Sequence, residues 1–360
     1  MLLVRSKMQL VTMNTRTPPH PMSIPSVSII IVNYNGAAHL SECLDSLAAQ
    51  QYRDYEVLVV DNNSNDGSPE IVREHFPDVG LIYSPDNLGY SGAVNLALSK
   101  AVGRYIAVLN MDAMVAPDWL EPLVTQLDTD PQVGAVTPKI LLYHDPERIN
   151  ALGQNVHITA LGFNRAYNHP DQPGMKPFKV SGLHGAAFLI RRDLLDRMGG
   201  MNKDCFLYHE DVDLSWLVQL MGYDIFCVPA STVRHKYVLK MDTQKLFYLE
   251  RNRVAMLLTN LGWWTLLLIL PFLLLTELMM ASYCFIKGPS FVQAKLRSFG
   301  WIWQRRGHIR ERRNLVRSLR HRSDWQVIAG LHLMYEWDQL VTLGKQQHVV
   351  KYRSLGRNSA

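Results

Sequence analysis

A chain of 360 residues with 48% hydrophobic and 19% charged residues is too long and too apolar for a disordered segment or a small disulfide-stapled scaffold, and fits two domains or one domain with an appendage. Its 37 Lys and Arg against 32 Asp and Glu give a net charge of +5, far below the density of a dedicated nucleic-acid binder. The cysteines, Cys43, Cys205, Cys227 and Cys284, have neither CxxC spacing nor companion histidines at zinc-finger distances, which argues against a zinc site and a disulfide framework and fits a reducing compartment.

Residues 1–25 show no readable secretory signal: Arg5, Lys7 and Arg16 interrupt the few apolar residues, and Pro18, Pro19, Pro21 and Pro25 follow, so a flexible tail is expected. From Val27 the chain alternates β-branched runs with helical periodicity. VSIIIV at 27–32 precedes Leu40, Cys43, Leu44 and Leu47 at i, i+3, i+4 and i+7, which predicts a strand and then a helix. EVLVV at 56–60 precedes a helix near 69–76, GLIY at 80–83 precedes a helix near 91–101, and YIAVL at 105–109 is a fourth strand. Apolar strands separated by helices predict a parallel, doubly wound α/β sheet, with ligands outside the carboxyl ends of its strands.

Each of those ends carries polar turn residues: Asn33-Tyr34-Asn35-Gly36, Asp61 to Gly67, Asp86 to Tyr90, and Asn110-Met111-Asp112. Any one is ordinary turn chemistry; four at one edge of one sheet point to a shared cleft. The chain has no Gly-x-x-x-x-Gly-Lys-Ser/Thr loop and no GxGxxG after a strand, so the P-loop and dinucleotide signatures are missing. The run from Asp61 is not a calcium loop, because Gly67 falls one position late and Val72 stands where the bidentate Glu belongs.

Farther on, VGAVTPKILLY (133–143) and GLHGAAFLIRR (182–192) form a candidate strand pair, and Val212 to Met221 is helix-compatible with Gly222 as its C-cap. Glu210, Asp211 and Asp213 cluster at that helix N-terminus, where carboxylates also serve simply to offset the helix dipole.

The strings VSIIIVNYNG, EVLVVDNNSNDGS, NLGYSGAVNLAL, YIAVLNMD, VGAVTPKIL, GLHGAAFLIRRDLLDRMGG and FLYHEDVDL, followed by VPASTVRH, resemble the inverting family 2 glycosyltransferases of GT-A fold, and within them the bacterial rhamnosyltransferase-like members. The resemblance covers about residues 26–255 and implies a nucleoside-diphosphate sugar donor. Asn33, Tyr34 and Asn35 would line base and ribose, Asp61 would accept the imide N–H of a uracil or thymine ring, and Asn87, Gly89 and Asn95 would lie along the nucleotide. Asn110-Met111-Asp112 takes the place of the family's Asp-x-Asp, with Asn110 on the donor and Asp112, joined by His235, holding Mg2+ or Mn2+ against the diphosphate. Asp211 stands where the family keeps its general base, and Glu210, Asp213, His184 and Gly185 are acceptor-side candidates. Three departures bear on these roles: Asn110 replaces a carboxylate, Gly199-Gly200-Met201-Asn202-Lys203 stands for Gly-Gly-Phe-Asp-Glu, and Leu217 takes the place of a frequent Arg.

From Leu261 to Ile286 the only charged residue is Glu277. The length suffices to span a bilayer, and Pro271 is expected to kink the segment. A single span would translocate Arg305, Arg306, Arg310, Arg312, Arg313, Arg317, Arg320 and Arg322, against the positive-inside rule. A kinked, re-entrant or in-plane segment is therefore expected, with the aromatic and basic stretch 291–322 on an anionic membrane surface. A true span, and a helix buried at a homo-oligomer interface, are the alternatives. No base-reading residues accompany the arginines, so nucleic acid is not an expected partner.

The expected organisation is a tail at 1–25, a GT-A domain with a mostly parallel sheet at 26–255, apolar and basic membrane-associated helices at 256–322, and a helical tail at 323–360. The expected activity is transfer of rhamnose from dTDP-rhamnose to a saccharide or lipid-linked saccharide acceptor, for cell-surface polysaccharide, at the cytoplasmic face of the inner (plasma) membrane. Two rivals are a non-catalytic sugar-nucleotide-binding scaffold and a nucleotidyltransferase on a related sheet. The second would want a Gly-rich loop with Arg and Lys, which Asn33 to Gly36 lacks.

Overall fold

The computed structural model describes residues 25–237 and 239–345; the tail expected at 1–25, Pro25 apart, and residues 346–360 of the C-terminal tail lie outside the described residues. The first half is built as β1 (Val27–Asn33), α1 (Leu40–Ala48), β2 (Tyr55–Asp61), α2 (Ser68–His75), β3 (Gly80–Tyr83), α3 (Gly89–Leu98), β4 (Tyr105–Asn110), β5 (Ala113–Val115), α4 (Leu120–Thr129) and β6 (Val133–Leu142). There follow β7 (Asp145–Ala151), β8 (Gln154–Val156), β9 (Gly162–Asn164), β10 (Phe178–Lys179), β11 (Ala187–Arg191), α5 (Arg192–Met198), α6 (Glu210–Leu220) and β12 (Asp224–His235). β1 is buried along its whole length, as β-branched residues in a strand covered on both faces should be. Leu40, Cys43, Leu44 and Leu47 form the buried face of α1.

The main sheet runs β10-β12-β6-β11-β4-β1-β2-β3. β1 pairs in parallel with β2 and β4, and β2 with β3. The expected strand pair also forms, with β11 antiparallel to both β6 and β4, so the sheet is mixed and mostly parallel. Its register sets Asn33 beside Asp61, Val32 beside Asn110, and Asp61 beside Tyr83, which aligns the polar strand ends at one edge. β12 runs parallel to β6 and closes antiparallel on β5, pairing His235 with Ala113. In this way a histidine more than a hundred residues downstream reaches the Asn110–Asp112 turn.

The C-terminal region is α7 (Thr243–Asn260), α8 (Trp263–Leu268), α9 (Leu270–Lys287), α10 (Pro289–Gln304), α11 (Arg306–Leu319), α12 (Asp324–Ile328) and α13 (Trp337–Lys345). α7 carries the chain through residue 255 without a break. α6 is buried on nearly every side, Leu217 included, so the position where an Arg is frequent faces a hydrophobic core and suits Leu.

The apolar block is two helices. Pro271 sits in the first turn of α9, where its missing N–H costs nothing; the expected mid-segment kink is replaced by a break at Ile269. α9 is long and apolar enough to cross a membrane by length and composition. One face docks on the chain: Thr276 and Cys284 are buried, and Thr276 Oγ1 lies 3.1 Å from Thr159 Oγ1 and 2.9 Å from Tyr335 Oη. Its other face exposes Leu274, Leu275, Leu278, Phe285 and Ile286, next to Trp263, Trp264, Leu267 and Leu268 of α8.

Glu277, the lone charge of the apolar block, joins a buried ion network. Arg253 Nε donates to Glu250 Oε1 at 3.0 Å and Arg253 also pairs with Glu277; Lys295 Nζ donates to Glu277 Oε2 at 2.6 Å and pairs with Glu250. Burial opposes ionisation of Glu250, but Arg253 and Lys295 outweigh it and hold its carboxyl down to about 2. Removing Glu250 leaves Arg253 and Lys295 buried against the single carboxylate of Glu277. Glu250→Ala should therefore destabilise the fold by about 3–5 kcal/mol, read as a lower urea midpoint; an unchanged midpoint would show that the network contributes nothing.

Several arginines of the basic run pair with carboxylates of the chain itself. Arg312 pairs with Asp213 at 3.1 Å, Arg322 with Asp224 at 2.8 Å, Arg305 with Asp204 at 3.6 Å, and Arg320 with Asp324. Arg306, Arg310 and Arg317 remain exposed.

Candidate active site

On the donor side, Asn33 is fully buried at the end of β1. Its Nδ2 donates to Asp61 Oδ1 at 3.0 Å and to Ser68 Oγ at 2.7 Å, while its Oδ1 has no partner. Asp61 also accepts from Ser64 N at 3.3 Å; each carboxylate oxygen has two lone pairs, so this leaves acceptor capacity. Tyr34 is exposed, and Asn35, at φ +54°, accepts from Asn65 N at 2.9 Å and ties the first two strand-end loops together. Asn87 Oδ1 accepts from Gly89 N and from Asn62 Nδ2, both at 2.9 Å, forming an Asx-turn at the start of α3. Gly89 has φ +71°, and a Cβ there would stand 2.3 Å from Phe206 O, so no larger residue fits.

Asn95 is placed differently from expectation. Its Nδ2 donates to Met201 O and its Oδ1 accepts from Met201 N, both at 2.8 Å, so it braces the Gly200-Met201 turn instead of facing a nucleotide. That turn is the departing Gly-Gly-Met-Asn-Lys segment.

Asp112 lies in the turn between β4 and β5, with its Oδ1 3.4 Å from His235 Nε2. Burial works against the charged form, yet His235 beside it holds the Asp112 carboxyl below its usual range. His235 Nδ1 faces Asn150 Oδ1 at 3.0 Å, and its ring meets His184 edge-on at 5.9 Å between centroids. Burial, then the neighbouring His235, push His184 down to about 3, so its ring is neutral. No group of three or more His, Cys, Asp or Glu converges as a self-sufficient metal cage among the described residues. A Mg2+ or Mn2+ bound together with a diphosphate would not need one, because one or two protein donors would suffice beside the ligand's own oxygens. Asp112 and His235 fit that requirement.

On the acceptor side, Asp211 opens α6. Its Oδ2 accepts from Gln154 Nε2 at 2.7 Å and from Gly185 N at 2.9 Å, and its Oδ1 from Val212 N at 2.8 Å. Burial outweighs these bonds and raises the Asp211 carboxyl above its ordinary range, toward that of an effective base. Gly185 is where a Cβ would stand 3.0 Å from Asp211 Oδ2, so glycine permits the carboxylate's approach. Tyr90 Oη lies 2.9 Å from Asn110 Oδ1 and 3.0 Å from Gly185 O, joining the donor-side turn to the loop that holds Asp211. Asp213 points elsewhere: it is buried against Arg312 at 3.1 Å and Asn260 at 3.4 Å, which removes it from the acceptor side and makes it the anchor of α11.

Glu210 is buried with Oε2 unpartnered. Burial, then the Asp211 carboxylate, push it up to about 8, so it is largely neutral at pH 7. A carboxyl raised from its unfolded value of about 4.3 binds more proton in the native state than in the unfolded state. Stability should therefore fall as pH rises from about 4.3 through 8, by up to about 1.4 kcal/mol per pH unit, and level off above. Glu210→Gln should flatten that limb in melting curves taken from pH 6 to 9; an unaltered slope would assign it to another group.

Tyr90, Gln154 and Asn252 are the residues that sequence reasoning left out. Tyr90 adjoins Gly89 in a quoted string. Asn252 Nδ2 donates to Cys205 O at 2.7 Å, Leu207 O at 3.1 Å and Tyr208 O at 2.7 Å, so α7 fixes the loop leading into Glu210 and Asp211; no motif marks it or Gln154.

Residues 28–199 match Glycosyl transferase family 2. The N-acetylglucosaminyl-diphospho-decaprenol L-rhamnosyltransferase of Mycobacterium tuberculosis is 26% identical over 264 residues, 66% of this chain and 85% of that protein. The beta-monoglucosyldiacylglycerol synthase of Trichormus variabilis is 28% identical over 250 residues, 65% of this chain and 49% of its own length. Among solved structures, the mannosyltransferase PcManGT of Pyrobaculum calidifontis, in complex with GDP-Man and Mn2+, superposes with a TM-score of 0.51 at 24% identity, covering 84% of this chain and 87% of that one. GalNAc-T7 with UDP, GalNAc and Mn2+ gives 0.55 at 20% identity, covering 66% of this chain and 48% of that one. Both likenesses establish the GT-A-like fold.

Proposed function

The chain belongs to glycosyl transferase family 2, a family of inverting enzymes that move a sugar from a nucleotide-sugar, and from that premise we propose that it transfers rhamnose from dTDP-rhamnose to a lipid-linked saccharide. The observation that carries the reading is Asp211. It is held by Gln154, Gly185 and Val212 between the donor-side turn and an apolar cavity.

In the proposed reaction the acceptor hydroxyl gives its proton to Asp211 as its oxygen bonds to the anomeric carbon. The bond from that carbon to the diphosphate breaks, and its electron pair leaves with the nucleoside diphosphate. Asn33, Asp61 and the Asn87-Gly89 turn hold the nucleotide, and Tyr90 keeps the two halves of the site in register. Bound at Asp112 and His235, Mg2+ or Mn2+ would offset the charge growing on the diphosphate. The rhamnose donor and the lipid-linked saccharide acceptor are supported by the mycobacterial relative, whose name specifies an N-acetylglucosaminyl-diphospho-decaprenol, and a lipid partner also by the Trichormus relative, whose name specifies a diacylglycerol.

The proposed location is the cytoplasmic face of the inner membrane, with α8 and α9 lying in its plane. Their exposed face gathers Trp263, Trp264, Leu267, Leu268, Leu274, Leu278, Phe285 and Ile286, the kind of apolar surface that marks a membrane or partner contact, while the docked face and the Glu277 network favour an in-plane helix over one surrounded by lipid. The protein should accordingly stay on membranes through a high-salt wash and need detergent for release; release by salt alone would reduce the attachment to the exposed arginines.

The donor is tested by incubating the protein with a panel of nucleoside-diphosphate sugars and reading nucleoside diphosphate release in the presence of a lipid-linked N-acetylglucosamine acceptor. Turnover highest with dTDP-rhamnose supports the proposal; preference for another donor replaces rhamnose, and binding without release favours the scaffold.

A further inference from the structure

Beside Asp211 lies a cavity of about 350 Å3. That is the size of a small-molecule site and far larger than the voids that close-packed interiors leave. Asp211 and Gln154 contribute to its wall, and most of the remainder is hydrocarbon, including Phe163 beside β8, Met279 and Met280 on α9, and Leu340 on α13. The wall's one acid outside the reacting centre, Glu250, is neutralised by Arg253 within it. Lys245 adds an ammonium, which stands 4.9 Å over the ring of Tyr208.

Near Asp211 the wall offers polar partners for a sugar's hydroxyls, Gln154, Asn164, Tyr208 and Gln339 among them, and most of the rest of it is hydrocarbon. The chamber suits an acceptor whose sugar presents its reacting hydroxyl to Asp211, whose anionic linker meets the Lys245 ammonium, and whose lipid lies along the hydrocarbon walls. The same α9 that supplies Met279 and Met280 to the chamber carries Leu274, Leu275 and Leu278 on its exposed side. Only a helix thickness, about 10 Å, thus separates the chamber from the exposed apolar face of α9.

We infer that this cavity binds the first hydrocarbon segment of a lipid-linked acceptor, so that the acceptor is recognised through its chain as well as its sugar. The inference rests on the lipid-linked-acceptor reading above, and its test does not require transfer. The full chain in detergent is irradiated with a diazirine-bearing farnesyl diphosphate, and labelled peptides are mapped. The cavity predicts labelling of the peptides carrying Phe163 and Met279–Met280, displaced by unmodified farnesyl diphosphate. Affinity should rise from five- to ten- to fifteen-carbon prenyl diphosphates, by up to about fourfold for each methylene buried.

Leu340→Trp and Met280→Trp, on different helices, fill the chamber and should each cut that labelling at least tenfold, while thermal melting and nucleotide binding report that the fold is intact. Labelling confined to the exposed Leu274–Leu278 side, or labelling inside that neither tryptophan reduces, overturns the inference. Absence of sugar transfer with every donor, with labelling as predicted, would refute the proposed function and leave the hydrocarbon site standing.

Discussion

Asp211→Asn is expected to lower turnover by at least ~10²-fold, the minimum worth of a positioned general base, with nucleotide affinity nearly unchanged. The substitution keeps the size of the side chain and one oxygen for Gly185 N or Gln154 Nε2, which both donate to Oδ2 in the native site. It removes the proton acceptor and little else. Asn33, Asp61, Asn87 and Gly89, the candidates for the nucleotide, sit across the Tyr90 bridge and do not touch Asp211. Calorimetric titration with nucleoside diphosphate, beside steady-state turnover, separates the two effects. Near-normal turnover would remove Asp211 from the mechanism and require another proton acceptor.

The second large effect is at Asp112. Activity is expected to vanish in chelator and to return with Mg2+ or Mn2+, and Asp112→Ala should weaken nucleotide binding as well as rate. Asn110 carries no charge, so Asp112 is the one carboxylate of the Asn-Met-Asp turn, and its loss leaves His235 as the sole remaining donor of the pair. The same titration performed with and without added metal reads the outcome: a metal-dependent affinity in the native chain that is absent in the variant. Full activity in chelator would assign the neutralisation of the diphosphate to cationic side chains or helix N-termini.

How much of this was legible depends on whether a feature is local. The strands at 27–32, 56–60, 80–83 and 105–109 and the helix after the first are written in uninterrupted periodicity, and they form within a residue or two of expectation. Asn33, Asp61, Asn110 and Asp112 follow from them, because a parallel sheet aligns its strand ends whatever the side chains. Asn95 and Asp213 are engaged elsewhere than expected, for the opposite reason. Their side chains are claimed by segments distant in sequence, Met201 for one and Arg312 with Asn260 for the other, and no local pattern announces such a claim. The same holds for Gln154 and Asn252, which reach Asp211 and its loop from a three-residue strand and from a helix that is buried on several sides. The partners of the arginine run were not legible either, because composition counts charges and does not reveal what they meet: Arg305, Arg312, Arg320 and Arg322 each meet a carboxylate of the fold.

The central claim is that the sugar passes in a single displacement from diphosphate to acceptor, with Asp211 taking a proton and forming no bond to carbon. The anomeric configuration of the product tests it most directly, read by NMR from the one-bond carbon–hydrogen coupling at the transferred sugar's anomeric centre. Inversion relative to the donor is the result the account predicts. Retention would contradict it, since two successive displacements would then be required and Asp211, or a neighbour, would have to serve as nucleophile.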